Sequence, residues 1–423
     1  MSAPPASQAP GPEAGAGPAA GGAWRPGFLG AFAFRAYRLL WTGAFLSSLG
    51  TWTQDVALAW LIHTEFPNPV YLGLRAFAAE APLLAFMLVG GAIADRVDRR
   101  RILLTSQVLQ MSFAAALLAL YAAGRLGIVP ILLFAFLTGL AQSQSAPTYQ
   151  AVITSLVPPR HIPNAVALNS LQFNLSRAIG PAIAGLLLLR GGTGACLAAN
   201  AVSFMAVIVA LWRIEIPSPK QGTESLASSL RAGLRHVMHS PVLATLTLLA
   251  LAASFLAFPL ITYLPVIASE QLGTGSAGYS LLLSGFGVGA ILGAVATAQR
   301  GHAPGRGQLM LAFWMAYGVC IVGAVSCGRP RLALALLFAA GFCSVSAFST
   351  LNSLVQEHAP HELRGRVLSI YGLCFRGGMP LGSLVAGLLA GPLGAARVIG
   401  GFAAALVLLA AVLSLRHARL RSL

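Results

Sequence analysis

The chain has 423 residues, 57% of them hydrophobic and only 9% charged, where a soluble protein carries about 25% charged residues. So little charge excludes a soluble globule and makes lipid the solvent for most of the chain. The net charge of +16 does not indicate nucleic acid, because 26 of the 27 basic residues are arginines scattered through short loops, with no dense basic face and interleaved aromatics. The five cysteines (Cys196, Cys320, Cys327, Cys343, Cys374) lie in apolar runs without a close CxxC pair, so they read as small buried hydrophobes rather than metal or redox groups.

Residues 1–33 are dominated by Ala, Gly and Pro and are expected to form a disordered cytoplasmic tail. No basic region precedes an early apolar core there, so the segment does not read as a secretory signal. Apolar runs of about 20 residues cross a bilayer as helices, because a helix satisfies its own backbone in lipid. Twelve follow in order. The first six are 38–62, 71–94, 101–123, 128–150, 165–189 and 194–213. The second six are 242–268, 276–298, 308–327, 331–354, 366–390 and 395–415. The expected fold is therefore an all-α integral membrane protein of two six-helix bundles, 34–213 and 242–415, with a cytoplasmic tail at 416–423.

An even number of spans puts both termini on one side, and Arg and Lys decide which. With the termini inside, the cytoplasmic segments carry 19 basic residues and the outer ends six (Arg75, Arg125, Arg190, Arg329, Arg331, Arg397). Both termini are expected in the cytoplasm. The longest connection, 214–241, opens with the breaker run Pro217-Ser218-Pro219. Leu226, Leu230, Leu234, Val237 and Met238 then recur at helical spacing beside Arg231, Arg235 and His236, which predicts an amphipathic helix at the inner membrane surface.

The halves repeat. Pro158-Pro159-Arg160-His161 leads into the fifth span and Pro360-His361-Glu362-Leu363-Arg364 into the eleventh. Each is followed by an arginine within the membrane and a nearby proline: Arg177 with Gly180-Pro181, Arg376 with Pro380. A duplicated six-helix unit is the signature of a transporter built around a midplane site. Between spans two and three, Asp95 to Arg101 carries six charges in seven positions.

That loop, from Gly91-Ala92-Ile93-Ala94-Asp95-Arg96 to Arg100, matches the signature of the major facilitator superfamily, and the chain resembles that family over residues 34–415. Gly180-Pro181-Ala182-Ile183-Ala184-Gly185 is similar to the antiporter motif of its exporters, though Ser176 and Ala184 stand where Gly is common. Gly50-Thr51-Trp52-Thr53-Gln54 and Gly233-Leu234-Arg235-His236-Val237 resemble the branch of enterobactin (siderophore) exporters and macrolide-type efflux pumps. The resemblance implies a multi-pass protein of the bacterial cytoplasmic (inner) membrane. It also implies a latch in which Asp95 faces the N-terminus of span eleven near Gly365 and Arg366. A helix N-terminus favours a carboxylate by about 0.3–2 kcal/mol. Gly91 would admit the close approach, and Arg96 and Arg99 would flank it. The matching loop of the second half, Gln299-Arg300-Gly301-His302, has no acid, so the latch is one-sided.

Charge inside a bilayer costs at least about 2.5 kcal/mol and marks function. Asp55, Glu80 and Arg177 fall near one level if spans one, two and five share a half, with Arg376 as the counterpart of Arg177. Read functionally, Asp55 and Glu80 are proton-coupling candidates, since a carboxylate poised between burial and a nearby arginine changes protonation as the pair separates. Read blandly, they are static pairs. Arg177 is either structural or a binder of an anionic substrate. Gln54 and Gln150 join them as polar candidates for the substrate cavity. Small residues at every fourth position mark close helix contacts: Ser176, Gly180 and Ala184 with Pro181 and Gly185 in span five, and Gly285, Gly289 and Gly293 in span eight. The resemblance sets these two spans against each other across the halves.

His236/His239 and His358/His361 lack further converging ligands, and no HExxH, GxSxG or Walker loop occurs. The reading is therefore no enzyme, no cofactor and no metal. The expected function is a proton-coupled exporter of a small amphipathic molecule such as a siderophore or a drug, working by alternating access as a monomer. Its partners are that substrate, protons and the lipid bilayer. A non-transporting solute sensor and a lipid translocase on the same fold are the alternatives.

Overall fold

The computed structural model describes residues 29–94, 98–216, 226–300 and 305–416, with backbone alone at 87–94, 226–232 and 300. The described residues form thirteen α-helices: α1 (Arg35–Glu65), α2 (Val70–Ala94), α3 (Arg99–Ala122), α4 (Ile128–Ser155), α5 (Ile162–Arg213), α6 (Leu226–His239), α7 (Pro241–Ala257), α8 (Pro259–Val266), α9 (Ser276–Arg300), α10 (Arg306–Ser326), α11 (Pro330–His358), α12 (Arg364–Leu393) and α13 (Ala395–Arg416). Nine helical segments among them are long and apolar enough to cross a membrane, and one of these, Pro159–Arg213, runs to 55 residues. That segment is two spans, and α1 and α2 complete the expected twelve.

The fifth and sixth spans, which together make up α5, are two helical arms that meet at a single break. Gly192 alone leaves helical geometry, at φ 64° and ψ −164°, a backbone region open essentially to glycine. The chain turns back there without a loop. The seventh span shows the reverse. Pro259 has no N–H to continue α7, so the span breaks at Phe258 into α8 and ends in a wider π-type turn, Ile267–Gln271. The fourth span runs on to Ser155, past the boundary drawn at Gln150.

Residues 30–33 do not belong to a disordered tail. Gly30–Ala33 forms a 3-10 turn with Ala31 fully buried. The Ala31 N–H donates to Asn164 Oδ1 at 2.7 Å, and Phe32 packs edge-on against Trp41. The amphipathic helix forms as α6, inside the 214–241 connection. Its Gly233 lies so close to α12 that an added Cβ would sit 2.9 Å from the Arg366 carbonyl oxygen. Val237 is buried while Leu234 and Met238 stay exposed, as expected of a helix resting on lipid.

Helix direction alternates along the chain, so α1 begins and α13 ends on one face, here the terminal face, with the far face opposite. Within the first half, α1 lies against both arms of α5: Trp41 Nε1 donates to the Leu168 carbonyl and Gln172 Nε2 to Ser48 Oγ, both at 2.9 Å, and Gly43 and Gly50 sit against Ala206 and Ser203. The core is not continuous between the halves at both faces. One large cluster joins the second half to far-face residues of the first, including Val56, Ile62, Leu72, Ile131, Ala184 and Leu197. The terminal-face residues of the first half, such as Tyr37, Leu40, Leu103, Val152, Leu168 and Leu211, form a separate cluster. The two halves are thus sealed together at the far face.

Candidate functional site

The seal at the far face is built from close backbone approaches. Gly73 of α2 abuts Ser383 of α12, and Gly387 of α12 abuts Pro69 and Val70. Tyr263 of α8 is fully buried between them, and its hydroxyl donates to the carbonyls of Pro69 at 3.2 Å and Ser383 at 3.0 Å. Trp60 of α1 stacks on Tyr279 of α9, with ring centroids 6.1 Å apart. Gly185 of α5 packs on Ser280 of α9. A cavity of about 230 Å³ lies outside this plug, lined in part by His63, Asn68, Glu270 and Gly391.

Below the seal sits the charged layer. Glu80 of α2 and Arg376 of α12 form an ion pair at 3.6 Å, one partner from each half, and 37% and 43% of their side chains remain exposed. Charges at that depth line the bundle interior or a water-filled cavity, so this pair marks the edge of one. Asp55 of α1 does not join it. It pairs with Arg75 of α2, inside its own half. Arg75, near the outer end of α2 as its place in the sequence suggests, is the partner of Asp55. The expected trio of Asp55, Glu80 and Arg177 is replaced by two separate pairs and a single arginine.

That arginine, Arg177 of α5, lies over the ring of Phe286 in α9 with Cζ 5.4 Å from the centroid. Its Nε is buried without a partner. Arg177 and Arg376 each stand four residues before a membrane proline, Pro181 and Pro380.

The remaining candidates are dispersed. Gln54 accepts from Asn200 Nδ2 at 2.9 Å inside the first half. Gln150 is exposed near the terminal end of α4. Gly91 lies in α2 and Arg99 opens α3, whereas Asp95 and Arg96 fall outside the described residues. The acid seen working in that loop is Asp98, which caps α3 by accepting from the N–H groups of Arg100 and Arg101.

Spans five and eight do meet, but not through their four-residue stripes. Gly285, Gly289 and Gly293 face α11, against Leu334, Phe338 and Phe342. Gly180 faces Trp52 of α1, and Thr53 Oγ1 donates to the Gly180 carbonyl at 3.3 Å. Ser176 and Ala184 are fully buried and Pro181 is buried on the same helix. The stripes close each bundle internally. The contact between halves uses Gly185 with Ser280, and Gly287, where an added Cβ would lie 2.7 Å from the Ala178 Cα.

Two helical bundles joined at one face, with an ion pair between them at mid-depth, define a polytopic membrane transporter. The model of the transmembrane secretion effector family matches residues 27–423, and the chain belongs to that family, within the major facilitator superfamily. It is 26% identical over 371 residues to the staphyloferrin A transporter of Staphylococcus aureus, covering 85% of this chain and 91% of that protein. It is 27% identical to the multidrug efflux pump Tap of Mycolicibacterium fortuitum, covering 83% and 88%. The enterobactin exporter EntS of Shigella flexneri is 27% identical over 65% of this chain and 66% of its own. A solved bacterial homologue of the human lysosomal transporter Spinster, inward-facing and unoccupied, superposes with a TM-score of 0.71 at 16% identity, covering 92% and 98%.

Proposed function

We propose that this chain exports a small amphipathic molecule, such as a siderophore or a drug, across the bacterial inner membrane in exchange for protons. The reading rests on the Glu80–Arg376 pair, because a titratable acid and a fixed cation there belong to opposite halves. While the pair is intact it ties α2 to α12. Loss of that attraction, when substrate or a proton takes the place of one partner, frees the halves to part at the far face. While that face is open Glu80 takes a proton from outside, and re-forming the pair as the face closes releases that proton into the cytoplasm. The Asp55–Arg75 pair lies within one half and would move as a unit, so it serves structure rather than coupling.

The bundle boundaries 34–213 and 242–415, joined by the 214–241 linker, give the two moving bodies. The Arg and Lys bias places the terminal face, with both termini, in the cytoplasm. With the far face sealed, the structure then corresponds to the state open to the cytoplasm. The latch of Gly91, Asp95, Arg96 and Arg99 belongs to the opposite state, when the terminal face closes. Names of the relatives support the substrate class: one pump, one exporter and one transporter of siderophores or drugs.

The test is transport by proteoliposomes under an imposed proton gradient, with a panel of staphyloferrin A, enterobactin and hydrophobic drugs. At least one member should accumulate against its gradient, lose that accumulation when a protonophore is added, and become insensitive to the proton gradient in Glu80→Gln. Accumulation that ignores the protonophore overturns proton coupling, and transport no faster than empty liposomes for every member overturns export of this substrate class.

A further inference from the structure

The duplicated halves treat their two membrane arginines differently. α2 (Val70–Ala94) and α9 (Ser276–Arg300) are corresponding spans of 25 residues each. Glu80 is the eleventh residue of one and Phe286 the eleventh of the other. Each faces the arginine that precedes the membrane proline of the opposite half: Glu80 faces Arg376, and Phe286 faces Arg177. One arginine has therefore been given a carboxylate and its counterpart an aromatic ring.

The consequences for charge are opposite. Glu80 neutralises Arg376. The face of Phe286 attracts the Arg177 guanidinium through the ring quadrupole and leaves its positive charge intact. No hydrogen bond or ion pair to the Arg177 guanidinium occurs among the described residues. Its Nε is sealed from solvent with no partner, while the residue as a whole is only part-buried. Next to it, α5 and α9 come so close at Ala178 and Gly287 that a Cβ on Gly287 would lie 2.7 Å from the Ala178 Cα. A guanidinium placed over a ring keeps its N–H groups as a planar fork of donors, the geometry that matches a carboxylate or similar oxyanion. An uncompensated charge at this depth is costly to the fold.

We propose that Arg177 and Phe286 form a receptor for one carboxylate, or other planar oxyanion, of the transported molecule. The substrate supplies in the first half's site the negative charge that Glu80 supplies in the other. The inference deepens the exporter reading and rests on it only for the word substrate; the anion site itself is a matter of binding.

Rhodamine 110 and its methyl ester, rhodamine 123, differ by one free carboxylate and are the probes. Binding to the purified full chain in nanodiscs is read by fluorescence anisotropy. The wild type should bind rhodamine 110 at least tenfold more tightly than rhodamine 123. Arg177→Gln should erase that preference while keeping or raising the melting temperature, because it removes a charge the empty protein cannot pair. Phe286→Glu should also erase it, by filling the site with an internal carboxylate. If Phe286→Glu does not yield monodisperse protein, Arg177→Gln decides. Absence of a preference in the wild type, or its survival in Arg177→Gln, overturns the proposal. Carboxylate-selective binding without transport of any solute in proteoliposomes would support the receptor and count against the exporter.

Discussion

Four charged residues within the membrane form two ion pairs of different kinds. Asp55 and Arg75 share a bundle, while Glu80 and Arg376 are split between bundles. Partners that move together cannot report a conformational change, and partners that separate can. Asp55→Asn is therefore expected to lower thermal stability in detergent but leave transport responsive to the proton gradient, whereas Glu80→Gln removes the response. The two mutants compared in one vesicle assay check this, and an Asp55→Asn protein that loses gradient dependence would move the coupling site to α1. Sequence marked Asp55, Glu80, Arg177 and Arg376 by the cost of charge in lipid, and all four lie inside helices. It did not pair them, because partners that are 20 and 296 residues apart depend on how helices pack. Arg75 was missed for a plain reason: six residues into a span, an arginine looks like loop charge that has strayed inward.

At the scale of the element, two glycine positions carry most of the argument. Gly192 makes one helix into two spans through a φ of 64°. Gly192→Ala should cost about 1–3 kcal/mol, seen as a lower melting temperature. Gly289 sits directly against the Phe338 carbonyl of α11. Gly289→Leu should overpack that contact by about 1–3 kcal/mol or more, loosening α9 from α11, and a mutant with unchanged stability would show that the stripe does not hold this contact. At the head of α3, Asp98→Ala removes a cap worth about 0.5–2 kcal/mol. Apolar runs of about 20 residues located the spans, since each helix must be apolar for most of its length to cross lipid. It could show that the glycine stripes permit close contact, but not with which neighbour, because a smooth face fits more than one helix. The break between spans five and six was legible from Gly191, Gly192 and Gly194 after Arg190, and the structure puts the turn at Gly192.

At the scale of the whole molecule, the buried apolar cores of the two halves join at the far face and, among the described residues, not at the terminal face. The hydrophobic core itself records this: the far-face apolar residues of the first half belong to the second half's cluster, and its terminal-face residues do not. Twelve spans, two halves and the family were legible from length, repetition and the Asp95–Arg101 loop. Which face is closed was not, because the apolar residues that seal a face depend on how the two halves pack and look the same in sequence at either end of a span. Tyr263, the plug of the far face, carries no sequence signal that separates it from other membrane tyrosines.

The central claim is that protonating Glu80 releases the far face. It is tested most directly by spin-label distance measurement in nanodiscs, on a background with the five cysteines replaced. Labels are placed at Asn68, in the exposed far-face loop of the first half, and at Leu393, 50% exposed at the far end of α12. Lowering the pH from 8 to 5 should move population from a short to a long distance in the wild type. Glu80→Gln, already without its charge, should show the long-distance population at both pH values. A distribution that does not change with pH in the wild type, or that changes equally in Glu80→Gln, would contradict the account.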